Sequence, residues 1–82
     1  MNPPKVISVQ AIENKSLLVE FIDGTKKIYD CAQVLGFESF KLLNKEPFFK
    51  SVKVDTGGYG ISWNDEIDLS EYELWTNGID VG

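Results

Sequence analysis

The sequence predicts a small, single α+β domain over residues 1–82, with an antiparallel, meander-type sheet of about five strands and one or two short helices. Its 82 residues leave room for one domain at most. Hydrophobic residues make up 43% of the chain and charged residues 26%, which is typical of a globular protein. The apolar periodicity gives the element order β-β-β-α-β-β-α, which favours the α+β class.

The first three strands form the predicted meander. The segments Val6 to Ile12 and Leu17 to Ile22 alternate apolar and polar residues, which is the period of half-buried strands. Asn14-Lys15 provides the turn between them, and Asp23-Gly24 tolerates positive φ at the turn into a third strand, Thr25 to Tyr29. The apolar faces of the first two strands are expected to carry Ile7, Val9 and Ala11, and Leu17, Val19 and Phe21.

After the meander the hydrophobic period becomes helical. Asp30 is expected to cap a short helical turn, Ala32 to Leu35, which ends at Gly36 in the left-handed conformation. A second helical segment is expected to cover one face of the sheet, because three large apolar residues recur at helical spacing. These residues are Phe37, Phe40 and Leu43.

Glu46-Pro47 is expected to stop this helical segment, because proline disfavours helical geometry in the residue before it. Phe48 to Val54 then returns to strand character. Gly57 to Gly60 is interpreted as a tight turn, since a phosphate-binding loop would need a helix and a lysine after it and neither follows. Gly60 to Asn64 is expected to be a strand whose Trp63 lies in the core.

The last helix has the clearest local signal in the sequence. Ser70, followed three residues later by Glu73, is a capping box. In this motif the serine hydroxyl accepts a hydrogen bond from a first-turn amide, and the glutamate reaches back to the cap. The helix is expected to run from about Glu71 to Thr76, and Asn77-Gly78 is expected to end it with a left-handed cap.

The charged residues exclude several classes of function. All eight basic residues are lysine, there is no histidine, and thirteen acidic residues give a net charge of −5. Without histidine, Ser-His-Asp and Cys-His catalysis and imidazole metal ligands are excluded. Without arginine there is no bidentate phosphate fork, and an acidic surface is repelled by a nucleic-acid backbone. We therefore expect no catalytic residue, no cofactor, no metal and no direct contact with DNA or RNA.

Cys31 is the only cysteine, so it cannot form an intramolecular disulfide, and a reducing compartment is the simpler interpretation. Because no histidine can activate it, we expect a buried structural thiol rather than a nucleophile. The N-terminus has no apolar signal core, and no stretch approaches the ~20 apolar residues that cross a bilayer. These features predict a soluble cytoplasmic protein without a membrane partner.

Two groups of carboxylates suggest other chemistry. The densest oxygen cluster, formed by Asn64, Asp65, Glu66 and Asp68, lacks the ligand spacing of a calcium loop. A turn and a helix-capping region are therefore expected there. Asp30 and Asp68 could act as acid and base only in a cleft of defined geometry, which an 82-residue domain is poorly placed to build.

The placement of charge is the most informative feature of the sequence. Residues 1–54 carry eight lysines and six acids, whereas residues 55–82 carry seven acids and no base. An acidic C-terminal third can steer a basic protein partner by long-range attraction, although negative charge also keeps a small domain soluble. The predicted partner-binding residues add two aromatic side chains to these acids: Asp65, Glu66, Glu71, Tyr72, Glu73 and Trp75.

An ordered set of residues from Pro3 to Trp75 resembles a known family. The set is Pro4, Val6, Val9, Phe21, Asp23-Gly24, Tyr29-Asp30, Phe40, Leu43, Val52, Val54, Gly58, Ile61, Trp63, Asp68-Leu69-Ser70 and Leu74-Trp75. The sequence is similar to the small bacterial family known as domain of unknown function 2442. The resemblance implies a small α+β fold with a meander-like sheet and no established enzymatic activity. Some members carry a helix-turn-helix domain after this one, and 82 residues leave no room for such a domain here. Many members are encoded beside another small protein, in pairs that look like toxin and antitoxin modules.

These observations together predict a non-catalytic protein-interaction or regulatory module, the antitoxin-like partner of a small neighbouring protein. The alternative is a small-ligand-binding domain with its site at a dimer junction, because one domain of this size encloses little space. A homodimer is therefore the second partner that the sequence leaves open.

Overall fold

The fold is α+β, with two antiparallel sheets and short helices, in a computed structural model that describes residues 3–81. The strands are β1 Val6–Ile12, β2 Ser16–Phe21, β3 Lys26–Asp30, β4 Lys53–Val54, β5 Gly60–Ser62, β6 Asp68–Ser70 and β7 Ile79–Asp80. The helices are α1 Ala32–Leu35, α2 Glu46–Phe49 and α3 Glu71–Asn77, with 3₁₀ helices at Glu38–Asn44 and Thr56–Gly58. The predicted class is confirmed, but the described residues form seven strands in two sheets rather than about five in one, and three α-helices rather than one or two. Residues 1, 2 and 82 of the predicted domain lie outside the described residues.

The meander is confirmed and forms most of the first sheet, whose strand order is β1-β2-β3-β7. Leu17, Val19 and Phe21 of β2 are fully buried, as their alternation predicts. The turn that precedes β2 places Asn14 and Lys15 at φ values of 61° and 56°. Positive φ suits asparagine but is uncommon for lysine, so the short connection between the two strands dictates the backbone there.

The buried face of β1 differs from the prediction at its first residues. Val6 pairs with Phe21 and Ser8 pairs with Glu20, so the register shifts by one residue between them. This β-bulge turns Val6 into the core and leaves Ile7 51% exposed. The expectation that Ile7 lies on the buried face is therefore wrong, whereas Val9 and Ala11 do pack against the core.

The helix α1 begins at the expected residue, although its N-cap position is Cys31 rather than Asp30, and it ends differently. The carboxylate of Asp30 accepts a hydrogen bond from the backbone N–H of Ala32 at 2.9 Å, which satisfies one of the unpaired amides of the first turn. Gly36 has a φ of −71°, so the predicted left-handed cap is wrong. The chain stays right-handed at Gly36 and Phe37 N–H bonds to Val34 C=O, which leads directly into the 3₁₀ helix.

The helical segment ends close to the predicted place, at Asn44, but the role predicted for Pro47 is wrong. Glu46-Pro47 begins the helix α2 rather than ending a helix, because proline fits the first turn, where its missing N–H would have no partner anyway. The predicted strand from Phe48 to Val54 is consequently reduced to the two residues of β4. In its helical position Phe49 is buried and stacks on Trp63 with a ring-centroid distance of 6.2 Å. Trp63 Nε1 donates to the Phe49 carbonyl at 2.9 Å, so the tryptophan lies in the core as expected.

The helix α3 confirms half of the predicted capping box. Ser70 Oγ accepts a hydrogen bond from Glu73 N–H at 3.1 Å, but the Glu73 side chain turns instead to Tyr29. Gly78 has a φ of −78°, so the predicted left-handed end of the helix is wrong. Glycine is required there for space, since a Cβ at this position would lie 2.5 Å from the Leu74 carbonyl oxygen.

The second sheet has the order β4-β5-β6, and α3 follows its last strand directly. The helix packs on the inner face of the first sheet, where Trp75 meets Phe21 edge-on with a ring-centroid distance of 5.0 Å. α3 therefore connects the two sheets, and β7 after it pairs with β3. The core between the sheets comprises Val6, Leu17, Val19, Phe21, Tyr29, Cys31, Val34, Leu43, Phe49, Ile61, Trp63, Ile67, Leu69 and Leu74.

Candidate functional site

A surface groove lies between two parts of the chain that are far apart in sequence. One wall comes from α1 and the start of the 3₁₀ helix Glu38–Asn44, and the other comes from β6 and α3. The groove has a volume of about 750 Å³. We call it the β6 groove, and its principal lining residues are Val34, Phe37, Phe40, Asp68, Ser70 and Glu73.

The first wall is apolar because of the spacing in the 3₁₀ helix. Side chains three residues apart eclipse one another in this helix, so Phe37, Phe40 and Leu43 form one stripe. The stripe leads outward from the core, since Leu43 is fully buried, Phe40 is half-buried and Phe37 is 62% exposed. The sequence predicts this stripe as core, and its outer end is instead an accessible aromatic ring on the groove.

The second wall is acidic. Asp68 is exposed, and Glu73 is half-buried beside it on the first turn of α3. Glu73 Oε2 accepts a hydrogen bond from the Tyr29 hydroxyl at 2.8 Å. Burial, together with this bond, raises the pKa of the Tyr29 phenol above its ordinary value. Tyr29 therefore stays protonated at neutral pH and holds the Glu73 carboxylate in place as a donor.

A second depression of about 520 Å³ lies next to the β6 groove and shares Ser39 with it. Leu42 and Ile67 give it an apolar base. Its charged residues are balanced in sign: Glu38, Lys41, Lys45 and Glu66. It therefore extends the apolar surface of the β6 groove without adding net charge.

The structure places two of the predicted binding residues in internal contacts. Glu71 forms an ion pair with Lys5 at 2.9 Å and its side chain is only 15% exposed. Trp75 packs on Phe21, and the Lys27 ammonium lies 4.6 Å from the centre of its ring. These contacts stabilise the packing of α3. The Glu71 carboxylate and the Trp75 ring therefore interact mainly within the domain and are less available to a partner.

The other predicted residues have more accessible positions. Glu73 lines the β6 groove and Glu66 lines the second depression. Asp65 is exposed in the turn before β6 but lines neither depression, and Tyr72 is exposed outside both as well. Sequence reasoning missed Phe37 as a surface residue, because the helical spacing that signals a buried stripe does not say where the stripe leaves the core.

The other candidate constellations have structural explanations. Asn64 Oδ1 accepts hydrogen bonds from the backbone N–H groups of Glu66 and Ile67, both at 2.8 Å, which is a turn of the expected kind. Within residues 3–81, no three acidic or cysteine side chains converge as metal ligands would. Gly57 and Gly58 adopt φ values of 82° and 76°, which confirms the predicted glycine turn.

Cys31 is fully buried, as predicted, and burial raises the pKa of its thiol to about 12. The thiolate, which is the reactive form, is therefore scarce at neutral pH.

No helix among the described residues is long and apolar enough to cross a membrane.

Comparisons with known proteins confirm the family that the sequence resembles. The family model described as "Protein of unknown function (DUF2442)" matches residues 6–80. No curated protein matches the chain, and no solved structure matches it either. The match extends from the first strand through β7 and so includes both walls of the β6 groove. The chain belongs to the DUF2442 family.

Proposed function

We propose that this domain is a non-catalytic protein-interaction module that binds a basic protein partner in the β6 groove. The observation that carries the proposal is the combination of an exposed aromatic ring, Phe37, with an acidic wall facing it. Aromatic side chains, phenylalanine among them, are enriched in protein–protein interfaces relative to the rest of the surface. A cationic side chain of the partner would be favoured both by the carboxylates and by the aromatic face.

The charge of the groove supports a basic partner. Asp68 and Glu73 are the charged residues among those that line it, and both are acidic. The Tyr29 hydroxyl is neutral, so its bond to Glu73 orients this carboxylate without cancelling its charge. Attraction between opposite charges acts mainly on the rate and specificity of association, and salt screens it over about 10 Å.

The narrower biological role is a regulatory or antitoxin-like one, in the cytoplasm. The family resemblance supports it, because it implies that many members are encoded beside another small protein in pairs that look like toxin and antitoxin modules. The single unpaired cysteine fits a reducing compartment. Burial raises the pKa of the Cys31 thiol, which argues against this cysteine as a nucleophile.

The test compares two matched variants, Asp68→Asn and Asp65→Asn. Both residues are exposed acids three positions apart, and each substitution removes one negative charge, but only Asp68 lines the β6 groove. The wild type is used to capture a stoichiometric protein from the native cell lysate at low salt, and the dissociation constant of the purified partner is then measured for each variant. We expect a basic partner, an affinity about 10-fold lower for Asp68→Asn, and a change of less than about 2-fold for Asp65→Asn.

Equal losses in the two variants would show general electrostatic attraction rather than docking in the groove. An acidic partner, or binding that high salt strengthens, would contradict the proposal. Asp65→Asn also tests a residue that the sequence assigns to the interface, so a selective loss in that variant would move the interface to the turn before β6.

The volume of the groove favours one second candidate, a site for a small ligand. Ligand pockets typically measure about 300 to 1,000 Å³, and the volume of the β6 groove falls in this range, although the groove is wide open to solvent. A cationic, partly aromatic metabolite would suit it. A rise in melting temperature on adding a panel of such amines, lost in Asp68→Asn, would support this candidate through linkage.

A further inference from the structure

One wall of the β6 groove includes the free edge of a β-strand. β6 pairs with β5 on one side and is the last strand of the second sheet on the other. Glu71 N–H bonds to the Tyr59 carbonyl, and Trp63 N–H bonds to the Ile67 carbonyl, both at 2.9 Å. The backbone groups of residues 67 and 71 therefore point toward β5.

The direction of the remaining backbone groups follows from strand geometry. Along an antiparallel strand, N–H and C=O of one residue point to the same side, and the side alternates with each residue. Since residues 67 and 71 point to β5, so do the groups of Leu69, whereas those of Asp68 and Ser70 point away from β5. Asp68, Leu69 and Ser70 all line the groove, so the outward groups face it.

Three of these outward groups lack a partner. The register pairs Leu69 with Ile61, so the ladder bonds to β5 use the backbone groups of Leu69. Apart from that ladder, no hydrogen bond among the described residues 3–81 engages the N–H or C=O of Asp68 or the N–H of Ser70. The Ser70 carbonyl lies at the helix cap, where it accepts within α3. Two donors and one acceptor therefore face the groove in the spacing of a strand edge.

We propose that the partner binds as an extended segment that adds a strand to the free edge of β6. This inference rests on the proposed function and specifies how the groove is used. In strand addition, main-chain hydrogen bonds supply affinity and alternate side chains supply specificity. β6 offers three residues, so the added strand is short.

The side chains of the added segment follow from the faces of β6. Leu69 points into the core and is buried, whereas Asp68 and Ser70 are exposed on the opposite face. Neighbouring side chains on one face of a sheet contact each other. The segment therefore places apolar residues beside Leu69, against Phe40 and Val34, and basic residues beside Asp68. Its chemistry is an alternation of apolar and basic residues.

The test uses a synthetic, capped peptide of about seven residues in which lysine alternates with valine, a length that covers β6 with one or two residues on each side. It is titrated into the wild type and into two variants, Ser70→Ala and Ser70→Pro. Both variants lose the cap to Glu73 N–H, and only Ser70→Pro also loses the backbone donor on the free edge. Ser70 has a φ of −74°, which proline adopts without strain.

We expect Ser70→Pro to bind the peptide about 10-fold more weakly than Ser70→Ala, the loss of about one hydrogen bond. In the wild type, saturating peptide should slow amide hydrogen exchange at Asp68 and Ser70 by about 10-fold or more, because their N–H groups become bonded. The exchange measurement needs no variant, so it decides the inference even if Ser70→Pro does not fold.

The outcomes distinguish a failure of the proposed function from a failure of strand addition alone. If the lysine peptide does not bind the wild type, or a glutamate version binds equally well, the acidic groove does not recognise basic segments and the proposed function fails as well. If the peptide binds but Ser70→Pro equals Ser70→Ala and exchange at Asp68 and Ser70 is unchanged, the groove binds the peptide without strand addition, and only this inference is overturned.

Discussion

Replacing Gly58 by alanine should destabilise the domain far more than the same change at Gly24. Both glycines have positive φ, 76° and 91° respectively, so alanine meets a similar conformational penalty at each. Left-handed backbone costs a non-glycine residue about 1–2 kcal/mol. The two positions differ in space, because a Cβ on Gly24 would have nothing within 4 Å, whereas one on Gly58 would lie 2.6 Å from the Val6 carbonyl oxygen.

The additional cost at Gly58 arises between two sheets. Gly58 belongs to the turn before β5, and Val6 begins β1, so alanine would push the second sheet away from the first. Overpacking of this kind costs about 1–3 kcal/mol. The expected loss is therefore about 2–5 kcal/mol for Gly58→Ala and about 1–2 kcal/mol for Gly24→Ala. Small domains have a free energy of unfolding near the lower end of about 5–15 kcal/mol, so the first variant should be marginal.

Urea unfolding followed by tryptophan fluorescence measures both variants against the wild type, since Trp63 and Trp75 report on the two halves of the core. Equal losses for the two glycines would refute the close approach between the turn and β1. A shift in the slope of the transition, rather than in its midpoint, would show that the variants alter compactness instead of stability.

Two further predictions concern buried groups that ionise. The folded-state pKa of Tyr29 is raised, so the stability that its neutral form contributes should be fully present below its ordinary pKa of 10.0 and be lost as pH rises above that value. Urea unfolding between about pH 8 and 11 should show this loss in the wild type. The variant Tyr29→Phe should show a flatter dependence of stability on pH. A profile that is identical in the two proteins would contradict the raised pKa of Tyr29, which burial and the bond to Glu73 produce together. Cys31, whose thiol pKa is raised to about 12, should not react with a thiol reagent at about pH 8 until urea unfolds the chain; rapid modification of the folded protein would show that the thiol is accessible.

The features that depend on local patterns could be predicted from the sequence. The alternation of apolar and polar residues in β2 predicts its buried face correctly. Successive side chains of a strand point to opposite faces, so when one face is covered the apolar residues must lie on it. Asp30 and Ser70 accept the first-turn hydrogen bonds expected of them, since these bonds involve only the next few residues. The family resemblance is likewise confirmed by the match over residues 6–80.

The predictions from the sequence are wrong where tertiary contacts decide between two local structures that the same residues allow. Proline after Glu46 can end one helix or begin the next, and only the packing of Phe49 against Trp63 selects the second. The bulge after Val6 preserves an apolar run, so the sequence does not reveal which residue turns inward. Glu73 has a local partner in the capping box and a distant one in Tyr29, and it bonds the distant one.

The candidate site was the least predictable part for the same reason. Its walls are separated by some thirty residues of sequence, and no local pattern brings Phe37 next to Asp68. The acidic character of this region was visible in the charge asymmetry of the chain, but the pairing of Glu71 with Lys5 was not. Which acids are available to a partner therefore depends on lysines from the opposite end of the chain.

The strand order of the first sheet has a consequence for protein engineering. β1 and β7 form its two edges, and because β2, β3 and β7 run antiparallel in turn, the start of β1 and the end of β7 lie at the same end of the sheet. Val6 pairs with Phe21, and the Phe21 N–H bonds to the Thr25 carbonyl. The Val81 N–H bonds to the carbonyl of Lys26, the residue next to Thr25. Val6 and Val81 are therefore separated by about three strand spacings, or ~15 Å. A flexible linker of about six residues could join them. The domain is thus suited to circular permutation, with new termini opened at the Gly24 turn, which is not part of the lining of the β6 groove.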